Sequence, residues 1–147
     1  MINYFEAAEN TLRSRPSLEA ALKNLERRKE RIIRHAAPSE YPAFDMSKPY
    51  TSTKAVNDAL AECVELAEVM REINATQEKA DEIDGVLRQL EAADAELLRL
   101  WYIERRSKED IAEQVNYSSR TSIYDLRNKA VAAFALLYFG AGAGAHI

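Results

Sequence analysis

The chain has 147 residues, a formal net charge of −4 and 30% charged residues. This length suits one ordinary domain or two small ones. Its single cysteine excludes an intramolecular disulfide and a multi-cysteine zinc site. With few glycines and prolines, and no apolar run near the ~20 residues of a membrane span, the composition predicts a mostly helical chain that does not enter a membrane.

The sequence offers little for catalysis. Its two histidines, His35 and His146, have no cysteine or second histidine at metal-ligand spacing. It contains no glycine-rich phosphate loop and no nucleophile elbow. We therefore expect no enzymatic activity, no metal and no cofactor. The first six residues lack the basic start and apolar stretch of a secretory leader, so a cytoplasmic location is expected.

The first half of the chain predicts helices around a proline-containing loop. Residues 1–36 form the N-terminal helical region, with one helix over residues 3–14, a break at Pro16 and a second helix over residues 17–36. Residues 37–52 contain three prolines and predict an irregular loop. Eight basic residues oppose five acidic ones in residues 1–37.

Residues 53–91 predict one long central helix with a heptad seam. Either the helix of residues 17–36 folds back on this seam, or the seam pairs with a second copy in a homodimer, and the two arrangements coexist if they use different halves. The helix is acidic, so pairing of the basic run at residues 27–31 with it is favoured over DNA contact by that run. The seam comprises Leu66, Val69, Ile73, Thr76, Ala80, Ile83, Leu87 and Leu90.

A shifted apolar stripe continues upstream along the same helix. Val56, Leu60, Val64 and Ala67 recur at spacings of three and four, which is typical of one helix face. Cys63 lies on this apolar side, and we predict it to be a small core residue.

Residues 93–140 predict a helix-turn-helix. Ser107 can cap one helix, and Asn116 stands where that helix would end. Ser119 can cap the next, whose apolar residues recur three or four apart. Two helices across a short turn, supported by a preceding one, present a reading helix to DNA. The residues expected to face inward are Ile123, Leu126, Ala130, Phe134 and Leu137.

With those residues inward, helical spacing turns polar side chains outward. Arg120, Arg127 and Asn128 are the candidate base readers, since arginine bonds guanine and asparagine bonds adenine. Phosphate and flanking backbone contacts are expected from Ser119, Thr121, Ser122, Tyr124, Arg105, Arg106 and Lys108.

Two features flank the helix-turn-helix. Trp101 and Tyr102 lie among leucines and isoleucines, so burial is favoured over stacking on unpaired bases. Residues 141–147 predict a flexible tail after Gly140, which can cap the last helix.

The chain resembles a known family in layout and in one motif. Lys48-Pro49-Tyr50 closes the loop, and residues 97–131 read LLRLWYIERRSKEDIAEQVNYSSRTSIYDLRNKAV. These features resemble the RinA/ArpU-type transcriptional regulators of phages and prophages, whose C-terminal part is similar to region four of bacterial sigma factors. The resemblance implies activation of late genes in a bacterial host, through promoter DNA and contact with RNA polymerase.

The sequence therefore predicts an all-α fold: N-terminal helices and a long central helix as a hairpin or coiled coil, then a helix-turn-helix bundle. The expected function is a dimeric, sequence-specific DNA-binding regulator. One alternative is a DNA-packaging adaptor of the small-terminase kind, which would form a ring instead of a dimer. The other is a protein-interaction module that contacts RNA polymerase or a sigma factor without touching DNA.

Overall fold

The computed structural model describes residues 2–36, 53–115 and 122–144. Every element in this part of the chain is helical, which confirms the predicted all-α fold. None of the described helices is both long and apolar enough to cross a membrane. In chain order the elements are α1 (Tyr4–Ala36), α2 (Thr53–Gln89), α3 (Ala92–Leu98), a π-helical turn (Arg99–Ile103), α4 (Lys108–Gln114), α5 (Ile123–Phe139) and α6 (Ala141–Gly144).

Helix α1 passes through Pro16 without a break, so the predicted division at this residue is wrong. Proline lacks the N–H that would bond the carbonyl of Leu12, and this normally favours a helix end. Here Leu12 is fully buried and Leu18 packs against the same core. Because both sides of the proline are anchored by apolar packing, the helix continues across it.

The chain forms two compact units, and both α1 and α2 contribute residues to each of them. Of the described residues, one unit contains 2–19, 78–115 and 122–144, and the other contains 20–36 and 53–77. In the first unit, one core joins Leu12 of α1, Ile83 of α2 and Phe134 of α5. The helices of the predicted helix-turn-helix therefore share their core with the start of α1 and the end of α2.

The second unit is a helical hairpin. Arg28 Nη2 lies 3.5 Å from Glu65 Oε1, and His35 Nδ1 lies 2.7 Å from Glu62 Oε1. His35 follows Arg28 along α1, whereas its partner Glu62 precedes Glu65 along α2. The two segments therefore run antiparallel. The predicted fold-back is therefore confirmed, as is pairing between the basic part of α1 and the acidic helix.

The seam predicted along α2 is confirmed, because each of its eight residues is buried or partly buried. The stripe upstream of it is different. Val56, Leu60 and Val64 are exposed, and so is Cys63, contrary to its predicted place in the core. The physical reason is that α1 covers the opposite face of α2 in this unit. The residue buried most completely on that covered face is Val69.

An ion pair in the first unit joins α1 to α2. Arg15 Nε donates to Asp84 Oδ1 at 2.8 Å, and its Nη2 donates to Oδ2 at 2.9 Å. The third nitrogen, Nη1, donates to Glu19 at 2.9 Å. Hydrogen bonding to Arg15 holds the pKa of Asp84 below its ordinary value, and the bond to Asp84 raises the pKa of Arg15.

We predict that Asp84→Asn lowers the free energy of unfolding by about 1–2 kcal/mol at pH 7 and by much less at pH 3. A carboxylate with a lowered folded pKa stabilises the fold above its unfolded pKa of about 4, and this contribution is lost as the pH falls through the folded value. Urea unfolding at both pH values measures it, with Asp58→Asn, an exposed position on α2, as the control. An equal loss at both pH values would contradict the assignment.

Candidate nucleic-acid interface

Helix α4 begins at the residue that the sequence indicates. Ser107 precedes it with extended backbone, and its Oγ accepts a hydrogen bond from the Asp110 amide at 3.2 Å. Glu109 and Asp110 lie in the first turn, where the positive end of the helix dipole stabilises their negative charges. The helix ends at Gln114, and the predicted terminating residue Asn116 lies outside the described residues.

Helix α5 begins later than predicted. Its N-cap is Ser122, whose Oγ accepts from the Tyr124 amide at 3.1 Å, so the prediction that Ser119 caps this helix is wrong. The sequence contains several hydroxyl residues before this helix, and each of them can cap. Ile123 and Leu126, at the start of the helix that Ser122 caps, pack against the core.

The two ends of α5 differ in burial. Ala130, Val131 and Phe134 are fully buried, which anchors the C-terminal part of the helix. Leu137, which was predicted to face inward, is 45% exposed. That prediction is wrong because the last turns bury Val131 and Ala135 instead.

The end of the chain is more ordered than the sequence indicates. Gly140 has φ 93° and its amide bonds the Leu136 carbonyl, so it caps α5 as predicted. The following residues, Ala141–Gly144, form the short helix α6, and Ala143 within it is fully buried. The expectation of a flexible tail from residue 141 is therefore wrong for this stretch, and residues 145–147 lie outside the described part.

The predicted DNA-contacting residues fall into three groups. Ser119, Arg120 and Thr121 lie outside the described residues. Arg127 is mostly enclosed by protein, with 18% of its side chain exposed. The remaining six are exposed at the surface, namely Arg105, Arg106, Lys108, Ser122, Tyr124 and Asn128.

Trp101 brings the starts of α4 and α5 together. Its ring meets Tyr124 edge-on with centroids 5.5 Å apart, and Lys108 Nζ lies 5.2 Å from its centroid. The Arg127 guanidinium lies 4.9 Å from the same centroid. Two predicted phosphate-contacting side chains, Lys108 and Tyr124, thus lie against one indole. The predicted burial holds fully for Tyr102, while Trp101 is half-buried.

Arg127 lies in a polar cluster inside the first unit. Its Nη1 is 3.4 Å from both Glu9 Oε2 and the Tyr102 hydroxyl, and its Nε donates to Asn128 Oδ1 at 2.8 Å. The prediction that this arginine faces outward is therefore wrong. The carboxylate that draws it inward comes from α1, 118 residues away in the chain. No local pattern in the sequence reveals that partner.

Glu9 is the acceptor in this cluster. Its Oε2 accepts hydrogen bonds from the Tyr102 hydroxyl at 2.8 Å and from Arg13 Nη2 at 3.1 Å, in addition to the contact with Arg127. Burial, reinforced by the bond to Glu9, raises the pKa of Tyr102 to about 12. The cluster ties α1, the π-helical turn and α5 to one another.

The loop before α4 displays two arginines. Arg105 has φ 53°, a left-handed conformation that costs about 1 kcal/mol in a residue with a side chain. Arg106 is held by a backbone bond to the Leu100 carbonyl at 3.0 Å and by an ion pair with Glu104 at 3.1 Å. Sequence reasoning missed this turn, because an arginine gives no sign of positive φ.

The exposed side of α5 includes a residue that the sequence analysis did not select. Lys129 lies beside Asn128 and is also exposed. Its positive charge is balanced on the same helix by exposed Asp125. The three exposed basic residues that lead into and begin α4 are likewise matched in number by exposed Glu104, Glu109 and Asp110. This surface therefore carries local basic side chains and no net positive charge.

Comparison of the chain with models of known protein families, with curated proteins and with solved structures gives no match.

We predict that Arg127→Met lowers the free energy of unfolding by about 1–3 kcal/mol, because it removes a cation from the largely buried carboxylate of Glu9. Lys129→Met is the matched control, since it also replaces a cationic side chain by methionine, two residues along the helix at an exposed site. It should change stability by less than about 0.5 kcal/mol. Urea denaturation measures both. Equal effects would contradict a structural role for Arg127.

Proposed function

We propose that the chain is a sequence-specific DNA-binding transcriptional regulator, in which α5 reads the major groove. One observation carries this proposal. The C-terminal part of α5 is anchored in the core, while its first turns display Tyr124 and Asn128 to solvent. Helix-turn-helix proteins use a reading helix in this way, with side chains near its N-terminus contacting base edges.

Asn128 is the base-reading residue in this proposal. An asparagine amide recognises adenine through two hydrogen bonds, one from its nitrogen and one to its oxygen. Arg127 Nε already donates to Asn128 Oδ1, which orients the amide and leaves the oxygen a second lone pair. Arg127 thus acts as a positioning residue for the reader next to it.

The backbone contacts come from the surfaces around α5. Ser122 and Tyr124 lie at its N-terminus, where the positive end of the helix dipole favours phosphate. Lys108, held against Trp101, and the two arginines of the preceding loop supply positive charge. Phosphate contacts of this kind set the register of the protein on DNA, and the base contacts supply specificity.

The resemblance to the RinA/ArpU-type regulators extends the proposal. By this resemblance, the protein activates late genes of a phage or prophage. It contacts RNA polymerase and acts in the cytoplasm of the bacterial host. The net charge of −4 agrees with a protein that binds weakly to arbitrary DNA and gains affinity from a specific site or from two reading helices.

Gel-shift binding to fragments from the gene's own neighbourhood, at low and physiological salt, tests the proposal. We expect a discrete complex on one promoter fragment that survives competitor DNA. If no fragment is shifted even at low salt, direct DNA recognition is overturned and the protein-interaction module is favoured. A ring-shaped complex with many subunits would favour the DNA-packaging adaptor.

Two substitutions separate base reading from backbone contact. Asn128→Ala should weaken binding to the specific site by about 1–3 kcal/mol and leave non-specific binding unchanged. Lys108→Ala should weaken binding to all sequences and reduce the slope of log affinity against log salt by about one.

Fluorescence anisotropy with specific and scrambled duplexes measures both effects. Lys54→Ala, which removes a charge from exposed α2, is the matched control for Lys108→Ala. If Asn128→Ala weakened binding to both duplexes equally, Asn128 would not be a base reader.

A further inference from the structure

The second unit exposes a row of large apolar side chains along α2. Val56 is 48% exposed, Leu60 59%, Val64 57% and Met70 45%. Exposed Cys63 and Ala67 lie between them on the same side of the helix. Single apolar residues at a surface are ordinary, but a contiguous patch marks an interaction site. The six residues are called the α2 stripe below.

The spacing of the α2 stripe specifies the shape of its partner. Its central row runs Val56, Leu60, Cys63, Ala67 and Met70, with alternating steps of four and three. This is a heptad repeat, which keeps its register only against another helix with the same repeat. The occupant of the stripe is therefore a helix in a coiled-coil contact.

The charges on α2 favour a second copy of the same helix. This part of α2 is acidic, yet Asp58, Glu65 and Glu72 project away from the stripe by helical spacing. The charged residue at its margin is Arg71. Two such helices can approach along their stripes without bringing carboxylates together, even though each is negatively charged overall.

The next residue of the row determines the arrangement. Asn74 is exposed and continues the heptad at the position also occupied by Leu60 and Ala67. A single asparagine at this heptad position fixes the register of a coiled coil and favours a dimer of two parallel helices. In that register, Ala59 of one helix flanks Val64 of the other, so the margins of the contact are apolar as well.

We propose that the α2 stripe binds the α2 stripe of a second copy, with the two helices parallel and in register. The proposal does not depend on DNA binding. The seam on the other face of α2 remains within the chain, where Val69 is buried. The long helix thus uses one face for its own hairpin and the other for a homodimer.

Light scattering of the full-length chain during gel filtration, without DNA and under reducing conditions, tests the surface. We expect a dimer for the wild type and a monomer for Leu60→Glu, which places a carboxylate in the centre of the stripe. Leu137→Glu is the matched control, since it changes an exposed leucine of α5 in the same way and should leave the dimer intact. Circular dichroism checks that all three retain their helical content.

A monomeric wild type overturns the proposal, and so does a dimer that survives Leu60→Glu. If the wild-type chain is a monomer and its Cys63 does not react with a thiol reagent, another segment of the same chain covers the stripe. These results leave the DNA-binding proposal unaffected.

Mild oxidation tests the arrangement of the helices. In the parallel register, Cys63 lies opposite Cys63 of the second copy, so a disulfide-linked dimer should form on non-reducing gels. Cys63→Ser should abolish this band and retain the dimer under reducing conditions. An antiparallel pairing would place Cys63 opposite Leu60 or Ala67 instead of a second cysteine. Failure to form the disulfide in a chain that is dimeric by light scattering would therefore overturn the parallel register.

Discussion

The carboxylate of Glu9 is the constraint on which the candidate interface depends. It is only 15% exposed, and a carboxylate in such a position must be paired to avoid a large desolvation cost. Tyr102, Arg13 and Arg127 supply the partners. Because Arg127 is drawn inward, the rotation of α5 about its axis is fixed. Asn128 and Lys129 are then the neighbouring side chains that face solvent.

In the proposed assembly, helix α2 serves two associations. The seam that begins at Leu66 lies on the side facing other parts of the chain, and the α2 stripe lies on the exposed side. A homodimer through the stripe would give the assembly two copies of α5. Helix-turn-helix proteins that bind as dimers read two half-sites, which multiplies specificity without requiring a strongly basic surface. The proposed dimer therefore suits the proposed DNA-binding function of a chain with net negative charge.

The sequence predicts those features that depend on local pattern. Heptad spacing identified the buried face of α2, and a serine followed by acidic residues identified the cap of α4. Features decided by distant partners were missed. Pro16 lies inside a helix because packing on both sides retains it, and Arg127 faces inward because of a glutamate on α1. The exposed position of Cys63 follows from the way in which α1 covers α2, which periodicity alone does not specify.

Hydrogen exchange of the full-length chain, with and without its specific duplex, tests the central claim most directly. The account predicts slower exchange in α4 and in the first turns of α5, with little change along residues 20–36 of α1. Protection confined to α1, whose exposed basic residues include Arg27, Arg31 and Arg34, would contradict it. In that case the DNA would lie on the hairpin, and α5 would not be the reading helix.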